Sequence, residues 1–129
     1  MPEGIPTSGA KVLISFTKGY TFDMEFNQII KRTAEIREKY AKLEKKKYGK
    51  EWTTAQIAEG FVGDVGDLMK LIMAKQGVRE VADVDAKLKH ELSDCLWSIL
   101  VLAKELDIDI EKSFLETMDA LEVKISKGL

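Results

Sequence analysis

Both prolines of this 129-residue chain lie in its first six residues, at Pro2 and Pro6, so nothing from residue 7 onward carries the residue that most strongly breaks a helix. From Thr21 onward apolar residues recur at three-to-four spacing with charges between them, the signature of amphipathic helices. Phe22, Phe26, Ile29, Ile30, Ala34, Ile36, Tyr40 and Leu43 mark a first helix, with Thr21 or Asp23 as its cap. It ends at Lys45-Lys46-Lys47-Tyr48-Gly49, where lysines complement the helix dipole and Gly49 suits the residue just past the end. Phosphate binding is the alternative use of that lysine run.

A second helix is expected from Thr53 or Thr54 to about Lys75, closed by Gln76-Gly77. A third runs from about Asp85 to Leu106. A fourth follows Asp107-Ile-Asp109 and reaches about Ser126, with Phe114, Met118, Leu121 and Ile125 as its stripe. The connections are short, so the fold class is all-α, an antiparallel four-helix bundle-like subunit spanning residues 21–129. Residues 1–20 are punctuated by Gly4, Pro6, Ser8, Gly9 and Gly19 and read as an irregular N-terminal arm. Within it Lys11–Phe16 is expected to be an apolar arm rather than a strand, since no pairing partner is evident beside it.

Several classes of function drop out. One cysteine excludes an internal disulfide framework, and with no apolar leader behind basic residues the chain is expected in the cytoplasm. A net charge of -2 argues against binding a nucleic acid polymer. The longest apolar run, Ile99–Ala103, is far short of the ~20 residues of a membrane span. Cys95 has no histidine placed to activate it. His90 is the single histidine, and Lys87 stands three residues before it, so a di-iron bundle with paired Glu-x-x-His motifs is excluded. His90 is read as a surface residue or a neighbour of ligands.

Two features suggest more than a lone bundle. Cys95–Ala103 is apolar almost all round, so a helix of this kind seeks burial on every side and a subunit interface is expected. Gly60, Gly63 and Gly66 interrupt the second helix at a cost of ~1 kcal/mol each relative to alanine, which points either to tight helix packing or to close approach of a ligand.

The chemistry lies in paired carboxylates. Asp64 and Asp67 on helix two, and Glu91 and Asp94 on helix three, are each three residues apart and so share a helix face. Residues level with one another in an antiparallel hairpin have a constant index sum. Asp64 with Asp94 and Asp67 with Glu91 share one, pivoting on residue 79 inside the expected link. Four carboxylates therefore meet at one height if the faces turn toward each other. Their repulsion is relieved by a divalent cation, and an all-oxygen donor set favours Mg²⁺, Mn²⁺ or Ca²⁺ over zinc. A row of surface salt bridges produces the same arithmetic. Lys70 and Lys87 lie one turn from the acidic pairs and are candidates for holding phosphate oxygens.

Gly63-Asp-Val-Gly-Asp-Leu68, His90-Glu-Leu-Ser-Asp-Cys-Leu-Trp97 and Leu106-Asp-Ile-Asp-Ile110 together resemble the MazG-like, all-α nucleoside triphosphate pyrophosphohydrolases. That family's signature is E-x-x-E, a gap, then E-x-x-D, and the likeness covers roughly residues 52–120. The resemblance implies that Asp64, Asp67, Glu91 and Asp94 bind Mg²⁺, with Mn²⁺ as a substitute, and form the catalytic set. It implies a nucleotide substrate cut between the α and β phosphates to monophosphate and pyrophosphate, in the service of nucleotide-pool sanitation. It also implies a homodimer or homotetramer. Trp52 and Trp97 become candidates for contacting the base. Lys124 is the nearest cation on helix four, where family members carry an asparagine and a basic residue and this chain has Met118-Asp-Ala-Leu121. Aspartates replace both glutamates of the first pair, each placing its oxygen about 1.5 Å nearer the backbone. Alternatives are action on phosphoribosyl-ATP or another pyrophosphate ester, and a non-catalytic helical interaction module with a degenerate site.

Overall fold

Local hydrogen bonding at the helix ends sets where each element begins and stops. The computed structural model describes residues 11–15 and 21–129. Strands β1 (Lys11–Ser15) and β2 (Thr21–Glu25) form an antiparallel pair, followed by α1 (Phe26–Tyr48), α2 (Thr54–Lys75), α3 (Val84–Glu105) and α4 (Ile110–Gly128). The four expected helices are present, and those after α1 begin and end within about two residues of where the sequence places them.

The N-terminal region corrects the sequence reading. Lys11–Ser15 is a strand, with Val12 opposite Met24 and Ile14 opposite Phe22. The partner strand lies where the first helix was expected to start, and the cap is Glu25 rather than Thr21 or Asp23. Phe22 explains the error. Its four-residue spacing to Phe26 reads as helix, while its two-residue spacing to Met24 reads as strand. Phe16 and the remainder of the expected arm lie outside the described residues.

Helix ends follow their sequence signals. The Glu25 N–H donates to Gln28 Oε1 at 2.8 Å, a side chain reaching back to the cap. At α2 the Thr53 hydroxyl accepts from the Gln56 N–H at 3.2 Å, while the Gln56 side chain accepts from the Thr53 N–H at 2.9 Å. Asp109 caps α4 by accepting from the Lys112 N–H at 3.1 Å. Gly49 ends α1 at φ 84°, donating to the Lys45 carbonyl at 2.9 Å, so the lysine run occupies the last turn as dipole matching requires.

Helices α2 and α3 pack as an antiparallel hairpin, with α1 laid against α3. Ile57 and Leu71 from α2 and Cys95, Leu100, Val101 and Ala103 from α3 form the buried apolar core. The all-round apolar segment of α3 is only half covered: Leu96 and Ile99 stay exposed at 49% and 40%. α4 contributes no buried residue, and Phe114, Leu121 and Ile125 remain exposed along it. Four helices are thus present, but among the described residues α2 and α3 supply the buried apolar core, while α1 buries the polar Thr33, Arg37 and Glu44 against it.

A Cβ built at Gly63 or Gly66 meets nothing within 4 Å. Tight packing among the described residues therefore does not require either glycine. Gly63→Ala should raise the melting temperature by about 4 °C, the shift expected from ~1 kcal/mol of recovered helix propensity in a domain of this size. Thermal denaturation by circular dichroism checks this, and a lower melting temperature would show that something packs closely on that face.

Candidate metal and nucleotide site

The level of each carboxylate follows from the hairpin. The link between α2 and α3 contains residue 79, so the two acidic pairs are brought to the same height. One carboxylate oxygen from each of Asp64, Asp67 and Glu91 lies within 4.8 Å of the others. Asp94 is engaged differently: its Oδ2 sits 3.1 Å from His90 Nε2, one turn back on α3. His90 is thus a neighbour of the acidic group, as the sequence suggested.

Electrostatics couple Asp64 and Glu91 to their acidic neighbours. Burial raises the Asp64 carboxyl above the usual range, the charges of Asp94 and Asp67 add to it, and a side-chain interaction with Glu91 offsets part of the rise. Burial likewise raises Glu91, helped by the charges of Asp64, Asp94 and Asp67. Glu91 Oε1 is fully enclosed and has no hydrogen-bond partner. An enclosed carboxylate oxygen without a donor is costly. A hard divalent cation is the kind of group this donor set fits, since every converging atom is a carboxylate oxygen.

Two clefts flank the cluster. Asp67 and Glu91 line one of about 430 Å³, together with Lys70, Lys87 and His90. Among the described residues neither lysine makes an ion pair. Asp64 and Asp94 line the other, about 650 Å³, whose walls include Tyr40, Trp52, Gly60 and Trp97. Each acidic pair therefore splits, one member facing a basic cleft and the other an aromatic one. Tyr40 and Trp97 meet edge to face at 5.8 Å between ring centroids. Lys124 is exposed on α4 and lines neither cleft, so the structure does not bring it to the other candidates.

Sequence reasoning missed Tyr40 as a cleft wall, having counted it only as part of a core stripe. It also missed Arg37 and Glu44, a buried bidentate pair at 2.8 and 3.0 Å. Arg37 holds the Glu44 carboxyl below the usual range, and the Trp52 N–H adds to that effect. Their seven-residue spacing, two turns along one helix face, is the available signal. Cys95 is buried, and burial pushes its thiol up, away from a nucleophile's requirements.

No protein-family model, curated protein or solved structure matches this chain. No helix among the described residues is long and apolar enough to cross a membrane.

Asp64 and Glu91 have opposite pH consequences to Glu44. A carboxyl raised by folding favours the folded state fully below its unfolded pKa, and that contribution is lost as pH rises through the folded value. Glu44, being lowered, contributes above its unfolded value and loses this as pH falls through the folded one. Asp64→Asn should therefore raise the melting temperature of EDTA-treated protein by a few degrees at about pH 7 and leave it nearly unchanged at about pH 3, below the unfolded value. Scanning calorimetry at both values checks this, and equal shifts at the two would contradict a raised Asp64.

Proposed function

We propose that the chain is a Mg²⁺-dependent nucleoside triphosphate pyrophosphohydrolase of the MazG-like all-α kind. The observation that carries this reading is the placement of the Asp64–Asp67–Glu91 cluster between a basic cleft and an aromatic one. A nucleotide has the matching polarity, with a planar base at one end and a polyanion at the other.

Asp64, Asp67, Glu91 and Asp94 would hold the cation, which when bound would supply charge neutralisation at the α-phosphate and a more acidic water. The fourth of these, Asp94, is 3.1 Å from His90. The aromatic cleft takes the base against Trp52, Trp97 and Tyr40, where flat rings offer area at low entropic cost. The basic cleft takes the β and γ phosphates, with Lys70 and Lys87 offsetting the charge that grows on the leaving group. Water attacks the α-phosphorus, the bond from that phosphorus to the α–β bridging oxygen breaks, and monophosphate and pyrophosphate leave. Lys124 has no part in this scheme.

The working unit is a homodimer or homotetramer. Leu92, Leu96 and Ile99 on α3 and Phe114, Leu121 and Ile125 on α4 are exposed large apolar residues, and a second copy of the chain covers them. A second reading, a non-catalytic interaction module, draws on the short side chains at 64 and 67 and on Asp94's engagement with His90.

Pyrophosphate release from a panel of deoxynucleoside triphosphates with Mg²⁺ separates these readings. At least one nucleotide should turn over. Glu91→Gln should abolish turnover, and Lys87→Ala should lower kcat/KM by roughly 10–100-fold, the value of a charge-assisted hydrogen bond. Asp94→Asn should remove the Mg²⁺-dependent rise in melting temperature while keeping helix content. No turnover of any triphosphate by folded protein would favour the interaction module. Sedimentation at micromolar concentration should give a dimer or tetramer, and a strict monomer would contradict the assembly.

A further inference from the structure

The buried ion pair on α1 is expensive for what it contributes to stability. Arg37 and Glu44 sit two turns apart with side chains only 9% exposed each. Taking two charges out of water roughly cancels their attraction, and an apolar pair of similar volume generally does as well. What an apolar pair could not do is hold backbone polar groups. Glu44 Oε1 accepts the Trp52 N–H at 2.8 Å, and Arg37 Nη2 donates to the Trp52 carbonyl at 3.5 Å. Both backbone groups of one residue in the short α1–α2 link are thus gripped by a single pair.

That residue is a wall of the aromatic cleft. The Trp52 indole lies over Gly60, where an added Cβ would come within 3.9 Å of its Cζ3. It is still 46% exposed, so much of its surface is free for contact. A half-exposed tryptophan in a link would ordinarily sample several rotamers, and ordering it on binding costs affinity. Fixing its backbone beforehand, with Gly60 beneath the ring, removes much of that cost.

We propose that Arg37 and Glu44 are positioning residues for a planar-ring ligand: they latch the Trp52 backbone to α1 so that its indole stands ready in the cleft beside Asp64 and Asp94. This rests on the reading of the cleft as the base end of a nucleotide site. Neither residue needs to touch the ligand.

The exchanged pair Arg37→Glu/Glu44→Arg tests the latch, because it retains opposite charges while position 44 loses its acceptor for the Trp52 N–H. The chain has two tryptophans, so protein labelled with 5-fluorotryptophan gives two ¹⁹F resonances, one for Trp52 and one for Trp97. In the exchanged variant the Trp52 resonance should move toward that of the free amino acid while Trp97, which lies on α3, keeps its position and reports an intact fold. KM for the best nucleoside triphosphate should rise about tenfold with kcat unchanged, a loss of pre-organised binding alone. Glu44→Gln, which retains one acceptor oxygen, should give both changes in lesser degree and serves if the exchanged pair fails to fold. An unmoved Trp52 resonance, or full recovery of KM by the exchanged pair, would overturn the latch and leave a merely structural ion pair. A parent protein that turns over no nucleoside triphosphate contradicts the proposed function instead, and the resonances still decide the latch.

Discussion

Like charges held together on a rigid frame are the constraint around which this molecule is arranged. The α2–α3 hairpin presses Asp64, Asp67 and Glu91 into one group, and Asp94 contributes its field from the adjacent turn. The buried residues Ile57 and Leu71 on α2 and Cys95, Leu100 and Val101 on α3 belong to the same two helices that carry these carboxylates. The core thus stabilises an arrangement that its own acidic residues oppose. Such local opposition is a common property of sites that bind charged ligands.

The second buried electrostatic feature has the opposite character. Arg37 and Glu44 satisfy one another and the Trp52 backbone, and each is shifted toward its charged form. Asp64 and Glu91 are shifted toward their neutral forms. The Arg37–Glu44 end of the aromatic cleft is therefore paired, while Asp64 at the cleft's other end is shifted toward its neutral form. A ligand entering this cleft meets a fixed wall at Trp52 and an unmet demand for positive charge at the carboxylates.

The helices and the acidic cluster are legible in the sequence for the same reason: both depend on periodicity within one or two adjacent segments. Three-residue spacing places Asp64 with Asp67 and Glu91 with Asp94, and a short link fixes their relative height. The hairpin at β1 and β2 is less legible because Phe22 satisfies helical and strand periods at once. The Arg37–Glu44–Trp52 contacts are less legible still. The ion pair lies within α1, but its contacts to Trp52 depend on how the α1–α2 link folds back on that helix, which no single-helix pattern encodes. Lys124 shows the reverse case. Proximity by analogy suggested a role, while the placement of α4 leaves it away from both clefts.

The central claim is that the opposed carboxylates form one divalent-cation site. Crystals grown metal-free and soaked in Mn²⁺ test it most directly, by anomalous diffraction at the manganese edge. The expected result is a peak between α2 and α3, bonded by carboxylate oxygens of Asp64, Asp67 and Glu91, with Asp94 turned away from His90 toward it. A peak elsewhere, or none at this cluster at millimolar Mn²⁺, would contradict it.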